Sequence, residues 1–172
     1  GAAAVLNYDS LVLVESQTSL TRTRVPYIPT LLSFREIPPT LASIKKLTVR
    51  PDGFLVDGHG FAHPYRCGYA SHLGLVIKRP TIGVAKGRLF GEVDSDETGK
   101  DVCLLKHGGE VIGAAVRTSL GCEPIYVSVG HMVSLETAIK IVKHCARGKR
   151  IPEPIMKAHE LATEEKRKIH IA

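Results

Sequence analysis

Short apolar runs separated by turn residues dominate the first third of the chain. Residues 2–8 and 11–16 are two such runs joined by a polar stretch, which predicts a β-hairpin. Residues 30–47 carry apolar side chains at helical spacing. We expect Pro38-Pro39 to interrupt or kink this helix, because proline removes a backbone donor and clashes with the preceding turn. Residues 54–56 are a compact apolar run followed by a glycine-rich turn, which indicates a buried strand.

The remainder of the chain alternates between helical and strand-like patterns. A helix is predicted over residues 65–77 and a second buried strand over residues 80–85, and the order strand, helix, strand favours a parallel sheet. Residues 92–100 are polar and acidic, which predicts a surface loop. Further strands are predicted over residues 102–105, 111–118 and 125–129, and closing helices over residues 134–146 and 154–168. The pattern therefore predicts one α/β domain that spans residues 1–172.

The composition is that of a globular protein. Apolar residues make up 44% of the chain, close to the average for folded soluble proteins. The longest apolar runs, such as residues 2–6 and 111–116, are far shorter than the ~20 residues that span a bilayer. Residues 1–6 also lack the basic flank and long apolar region of a secretory signal. We therefore expect no membrane partner and a cytoplasmic location.

The cysteines point to the same compartment. They are far apart and form no C-x-x-C pair, so a zinc or disulfide framework is not expected. Four separate reduced thiols agree with a reducing environment. The residues are Cys67, Cys103, Cys122 and Cys145.

The net charge of +6 is concentrated near the C-terminal end. Residues 140–172 contain nine Lys or Arg and four Glu, which gives a net charge of +5. A basic surface attracts phosphate backbones without reading their sequence. The alternative is a solvated terminal helix, and charge by itself favours neither.

Two acidic residues are candidates for chemistry. Asp57 lies at the carboxyl end of a predicted buried strand, where open α/β sheets place their ligands. Such a carboxylate either binds a hard cation such as Mg²⁺ or caps the next helix. Glu36 lies in a predicted helix beside Arg35, where it is either a functional acid or one half of a surface ion pair.

Basic and histidine side chains accompany these acids. Lys86 follows the second predicted strand, where its ammonium group either steadies a phosphate or leaving oxygen or is the first solvated residue of a loop. His159 lies within the basic C-terminal helix. Three further histidines fall within 14 residues, but Gly60 and Pro64 make a helical metal-binding pair improbable in this stretch. These histidines are His59, His63 and His72.

A stiff apolar segment, Pro26-Tyr27-Ile28-Pro29, follows a basic loop that contains Arg22 and Arg24. Two prolines hold the segment extended, so the tyrosine between them could act as a wedge that parts base steps in nucleic acid. The alternative is a tight loop packed on the core.

Taken together and in order, five segments resemble the endonuclease V family, whose members nick strands near deaminated bases. The segments lie between about residues 8 and 162 and read VPYIPTLLSFRE, PDGFLVDGHGFAHPYRCGYASHLG, PTIGVAKGRL, PIYVSVGHMVSLETA and RIPEPIMKAHELA. The resemblance implies a ribonuclease H-like fold, in which a mixed central sheet is flanked by helices.

The resemblance also implies roles for individual residues. Glu36 and Asp57 match the family's metal-binding acids, while Lys86 and His159 match its catalytic lysine and histidine. Asp52 matches a further acid of less defined role, and Arg35 is a further candidate. The substrate-binding positions implied by the wedge and by the pocket for the flipped hypoxanthine base are Pro26, Tyr27, Ile28, Pro29, Leu32, Gly58 and His63.

The implied activity is hydrolysis of the phosphodiester one step 3′ of inosine in DNA or RNA. Mg²⁺, or Mn²⁺ in its place, would activate a water and offset charge on the leaving oxygen. A mispaired base is the easiest to flip, which gives part of the selectivity.

Two departures from the family pattern qualify this expectation. The resemblance implies another essential acid on a first strand, in a Gly-Val-Asp-like run upstream of Gly1. We expect its absence from residues 1–172 to reflect either truncation, which we favour, or a homologue that has lost activity. The alternative function is therefore an inosine-binding or nucleic-acid-binding module without catalysis. Secondly, Thr30 follows the wedge where the family commonly has glycine. A third hypothesis, from the clustered histidines, is a metallohydrolase that acts on small molecules.

Overall fold

The computed structural model describes residues 1–22, 25–26, 28, 30–93 and 100–171. Its elements, in chain order, are β1 (Ala2–Leu6), β2 (Leu13–Thr18), α1 (Leu32–Ile44), β3 (Phe54–Asp57), α2 (Tyr69–Ile77), β4 (Thr81–Ala85), β5 (Glu92–Val93), β6 (Val102–His107), β7 (Glu110–Val116), β8 (Ile125–His131), α3 (Leu135–Ala146) and α4 (Glu153–Ile171).

The chain divides into two compact units. The first comprises residues 1–51 and 153–172, and the second comprises residues 52–152. The α/β class inferred from the apolar pattern is confirmed. A single domain over residues 1–172 stays a prediction.

The first unit contains an antiparallel hairpin of β1 and β2 on which α1 and α4 pack. The predicted hairpin is confirmed, with a turn in which the Asn7 side chain accepts a hydrogen bond from the backbone of Ser10 at 2.9 Å. Pro38 and Pro39 lie inside α1 rather than ending it. The carbonyl of Pro39 instead accepts the Ser19 hydroxyl, which ties the end of the hairpin to the helix.

The second unit contains a six-stranded sheet among its described residues, in the order β3-β4-β8-β7-β6-β5. β3 and β4 are parallel, as predicted, and the other neighbouring pairs are antiparallel. Every residue of β4 is buried, which explains why this strand reads as a continuous apolar run. Helix α2 packs on β4 and β8, and helix α3 packs on β7 and β8.

Two predicted boundaries in the second unit are wrong. Helix α2 begins at Tyr69 rather than at residue 65, because Arg66 has a left-handed φ of 54° and Gly68 is extended. Residues 92–93, predicted to be loop, form the short strand β5 and pair with β6. Of the rest of that predicted loop, residues 94–99 lie outside the described residues, and residue 100 belongs to no helix or strand.

Two further findings bear on the class of protein. No helix in the described part of the chain combines the length and the apolar character needed to cross a membrane. None of the four cysteines is in a disulfide. Burial raises the pKa of the Cys145 thiol, so this side chain behaves as a core residue rather than as a reactive thiolate.

Candidate active site

The two parallel strands at one edge of the six-stranded sheet lead to oppositely charged side chains. Asp57 is the last residue of β3 and Lys86 directly follows β4, so both predicted strand-end positions are confirmed. The Nζ atom of Lys86 lies 3.7 Å from Oδ2 of Asp57, and both side chains are about half exposed. An exposed pair adds little to stability, on the order of 0–1 kcal/mol. Its main consequence is a carboxylate and an ammonium group presented together at the carboxyl ends of these strands.

The turn after Asp57 packs against the backbone of the sheet. The N–H of Gly60 donates to the hydroxyl of the buried Ser128 at 2.9 Å. A Cβ on residue 60 would overlap the carbonyl of Val129, so the approach of the two backbones requires glycine. The close neighbour of Gly60 is therefore strand β8.

His59 links this turn to the segment that follows β4. Its Nε2 atom lies 3.1 Å from the carbonyl oxygen of Gly87. Because a carbonyl can only accept, Nε2 carries the hydrogen and the lone pair of the neutral ring is on Nδ1. Nδ1 is buried and has no hydrogen-bond partner among the described residues. Burial lowers the pKa of His59; the Gly87 carbonyl opposes this shift and His63 adds to it.

His63 lies in the loop between β3 and α2 and is only 4% exposed. The backbone N–H of Tyr65 donates to its Nδ1 atom at 3.2 Å, so Nε2 carries the hydrogen when the ring is neutral. The centroids of the His63 and Tyr65 rings are 5.7 Å apart. Contact of His63 with substrate stays a prediction. In such a contact, the hydrogen-bond donor of the neutral ring would be Nε2.

The clustered histidines do not form a metal site. Among residues 1–22, 25–26, 28, 30–93 and 100–168, no group of three or more His, Cys, Asp or Glu side chains is arranged to hold an ion. The geometry therefore gives no support to a metallohydrolase built on His59, His63 and His72.

In the first unit, Leu32, Arg35 and Glu36 lie on helix α1. Leu32 opens the helix and is 37% exposed, while Glu36 is partly buried. The Nη1 atom of Arg35 donates to the carbonyl of Val25 at 3.3 Å, so this side chain braces the loop before the helix. Metal binding by Glu36 and base contact by Leu32 stay predictions.

The proposed wedge is only partly described. Pro26 and Ile28 are exposed, whereas Tyr27 and Pro29 lie outside the described residues. Thr30 has a φ of 67°, in the left-handed region that favours glycine. The family commonly has glycine at this position, and the backbone conformation of Thr30 also favours glycine.

A pocket of about 360 Å³ lies in the first unit beside this loop. Arginine and aromatic side chains in one pocket are the groups that contact phosphates and stack on bases. The lining residues are Thr21, Arg22, Val25, Phe34, Arg35, Pro38 and Pro39.

Three other predicted residues have less defined surroundings. His159 is exposed on α4, where its carbonyl accepts the Thr163 hydroxyl at 2.8 Å. Asp52 is exposed just before β3. Gly58 follows Asp57 directly, and a Cβ on it would lie 3.0 Å from Cδ1 of Tyr69. Their functional roles stay predictions.

The family model for endonuclease V matches residues 1–160 of the chain. The chain belongs to the endonuclease V family. The endonuclease V of Gloeobacter violaceus is 50% identical over 157 residues, which cover 90% of this chain and 64% of that relative. The chain therefore spans slightly less than two thirds of this relative's length.

Solved structures agree with the family assignment. The endonuclease V of Streptomyces avermitilis matches with a TM-score of 0.92 at 37% identity, covering 98% of this chain and 75% of that one. A second structure is the Ciona intestinalis endonuclease V in complex with a 24mer DNA containing an inosine followed by a ribo-adenosine. It matches with a TM-score of 0.84 at 39% identity, covering 96% of this chain and 78% of that one. The predicted ribonuclease H-like fold and membership of a nuclease family are confirmed.

In this member of the family, sequence reasoning overlooked Arg66. Its Nε atom lies 2.8 Å from a carboxylate oxygen of Glu110, and its Nη1 atom donates to the carbonyl of His63 at 3.2 Å. Its guanidinium group also lies over the rings of Phe61 and Phe90, at 5.6 and 5.4 Å. Arg66 therefore ties the loop that carries His63 to the hairpin of β6 and β7.

Arg150 was also overlooked, although it opens the last segment that resembles endonuclease V. It lies between α3 and α4, and its Nη2 atom donates to the carbonyl of Lys86 at 3.0 Å. No local pattern indicates this contact, because 64 residues separate the two positions in the sequence.

Proposed function

We propose that this protein is a Mg²⁺-dependent endonuclease that hydrolyses the phosphodiester one step 3′ of inosine in nucleic acid. The observation that carries the proposal is the pairing of Asp57 with Lys86 at the carboxyl ends of the two parallel strands, 3.7 Å apart and half exposed. Membership of the endonuclease V family and the relative solved with inosine-containing DNA support the substrate.

The donor chemistry at Asp57 fits a hard divalent cation. Mg²⁺ is usually held by one or two carboxylates, with water and substrate phosphate completing its shell. Asp57 offers carboxylate oxygens to solvent, and its partner Lys86 lies beyond ordinary hydrogen-bond distance. Protein zinc sites usually have three or four His, Cys or carboxylate ligands, and no group of three or more such side chains is arranged for this among the described residues. We therefore propose Mg²⁺, with Mn²⁺ as its substitute.

The residues around this position have separable tasks. The Asp57 carboxylate would bind the cation, and the bound cation supplies a more acidic water together with neutralisation of phosphate charge. The Lys86 ammonium would face the charge that develops on the leaving oxygen, since it lies beside the carboxylate. The Nε2–H of His63 would donate to the substrate from the neighbouring loop. Four cysteines without a disulfide support a cytoplasmic location.

The test compares cleavage of inosine-containing duplex DNA, and of the matching RNA, by the intact protein that carries this chain. With Mg²⁺ we expect a single nick and a loss of about 10²-fold or more in Asp57→Asn, because the amide removes the charge that holds the cation. The matched control is Asp101→Asn, an exposed carboxylate that precedes β6.

Three outcomes separate the hypotheses. Equal cleavage by Asp57→Asn and the wild type would contradict the mechanism. Inosine-selective gel shifts without cleavage at any Mg²⁺ concentration would support the binding module instead. Cleavage that ignores inosine would retain the reaction but overturn the substrate.

A further inference from the structure

Two consecutive backbone carbonyls just after β4 are each held by a side chain that is distant in sequence. The carbonyl of Lys86 accepts from Nη2 of Arg150 at 3.0 Å. The carbonyl of Gly87 lies 3.1 Å from Nε2 of His59. Residues 86–89 are exposed and lie beyond the last ladder position of β4, so the sheet itself no longer fixes them.

The His59 side of this arrangement is itself rigid. His59 sits in the turn after β3, where its carbonyl accepts the N–H of Ala70 at 2.9 Å and the next residue, Gly60, is bonded to Ser128. Nε2 is fixed as the donor because its partner is a carbonyl. The ring therefore joins the turn that follows Asp57 to the segment that follows Lys86.

The Arg150 side is braced by the segment between β7 and β8. Its Nε donates to the carbonyl of Glu123 at 3.0 Å, and its Nη2 also lies 3.4 Å from the carbonyl of Pro124. The carbonyl of Arg150 accepts the Thr118 hydroxyl at 2.8 Å. The planar fork of arginine can serve these separate acceptors at once, whereas a lysine ammonium offers a single point of contact.

We propose that His59 and Arg150 are positioning residues that fix the backbone of Lys86 and Gly87, and so hold the Lys86 ammonium beside Asp57. The role assigned to Lys86 rests on the proposed nuclease function; the bracing of its backbone does not. The ion pair cannot do this work alone, because exposed pairs at 3.7 Å are weak and the lysine stem is flexible. A fixed backbone restricts that stem at its root.

The first experiment measures single-turnover cleavage and duplex affinity in the intact protein. In Arg150→Ala we expect the cleavage rate to fall about 10- to 100-fold, as for a small misplacement of a catalytic group, with affinity changed by less than about twofold. Arg150→Lys should recover little, since it lacks the fork. The charge-matched control is Arg79→Ala, an exposed arginine just before β4, at the opposite end of that strand from Lys86.

The same assay on His59 uses a conservative rescue. His59→Ala should lower the cleavage rate, and His59→Gln should restore part of it because the amide can still donate to Gly87.

A double-mutant cycle then separates positioning from general loss of structure. In a Lys86→Ala background, Arg150→Ala should cost little more, because a residue that acts through Lys86 has nothing left to position. Independent, additive losses would overturn the proposal.

A second measurement needs no nuclease activity. Backbone ¹⁵N order parameters of Gly87 and Arg88 should fall in His59→Ala and in Arg150→Ala but not in Arg79→Ala, at unchanged melting temperature. If the wild type does not cleave while these parameters fall, the proposed function fails and the bracing stands. If the parameters are unchanged in both variants, the bracing is overturned whatever the activity.

Discussion

At Thr30 a β-branched residue adopts a φ of 67°. Left-handed backbone costs an ordinary residue about 1–2 kcal/mol, and replacement by glycine removes that cost while adding freedom to the unfolded chain. We expect Thr30→Gly to raise the free energy of unfolding by about 0.5–1 kcal/mol. Thr40→Gly, inside helix α1, should lower it by about 0.5 kcal/mol or more. Chemical denaturation of both variants checks this contrast, and a loss in both would contradict it.

How well a functional residue could be predicted depended on the sequence pattern around it. Asp57 and Lys86 could be picked out because each follows an apolar run, and strands that run parallel end at the same edge of a sheet. His59 stood out only as one of several histidines, and its bond to Gly87 spans 28 residues. Arg66 pairs with the Glu110 carboxylate, and Arg150 donates to the Lys86 carbonyl. Both partners are distant in sequence, so neither contact leaves a local pattern.

Among the elements, the turn after β3 requires a residue without a side chain at position 60. A Cβ on Gly60 would overlap the Val129 carbonyl, whereas a Cβ on Gly87 meets nothing within 4 Å. We expect Gly60→Ala to lower the free energy of unfolding by about 3 kcal/mol, since backbone cannot yield as a flexible side chain does. Gly87→Ala should change it by less than about 0.5 kcal/mol. Thermal denaturation compares the two, and equal effects would refute the packing argument.

The segment after helix α1 is held to strand β2 by a carboxylate. Glu15 accepts the backbone N–H groups of Val49 at 2.9 Å and Thr48 at 3.0 Å, together with the Thr48 hydroxyl. These bonds lower the pKa of Glu15 from 4.5 to about 2. A carboxyl whose pKa is lowered in the folded state stabilises that state above its unfolded pKa, and the effect is lost as pH falls through the folded pKa.

We therefore expect the melting temperature of Glu15→Gln to lie below that of the wild type at pH 5 and above. The gap should narrow from about pH 4.5 and be lost as the pH falls through about 2, where the wild-type carboxyl becomes protonated in the folded state. Melting curves of both proteins between pH 2 and pH 7 check this. A gap that stays constant across that range would show that the charge of Glu15 is not what holds residues 48 and 49.

Element types were more predictable than element boundaries. Strand β4 was evident because all five of its residues are buried, and β3 because a short apolar run precedes Asp57. The start of α2 was misplaced because Arg66 has a left-handed φ, and the ion pair that fixes its side chain is with Glu110, far away in the sequence. The passage of α1 through its two prolines similarly depends on tertiary packing on the hairpin.

At the scale of the whole molecule, the uneven distribution of positive charge along the chain bears on its expected binding to nucleic acid. Residues 140–172 account for a net +5 of the total +6. Each lysine or arginine that neutralises a phosphate releases counterions, so affinity for a nucleic acid falls steeply with salt concentration. The alternative in the sequence, a merely solvated helix, predicts no such dependence on these residues.

Helix α4 itself carries four Lys or Arg and four Glu, so the two interpretations differ in whether its basic side chains contact phosphates, which is measurable as a salt-dependence slope. Lys166 and Arg167 lie exposed on α4, and Lys78 and Arg79 lie exposed between α2 and β4. If α4 contacts phosphates, Lys166→Gln with Arg167→Gln should reduce the slope of log affinity against log salt by about 1–2, near 0.9 for each lost contact. Lys78→Gln with Arg79→Gln removes the same charge and should change the slope by much less. Fluorescence anisotropy titrations with inosine-containing duplex at several salt concentrations measure both. Equal slopes for the two double variants would attribute the affinity for nucleic acid to net charge rather than to the C-terminal helix. Only a phosphate contact localised on α4 makes the two pairs of substitutions differ in their effect.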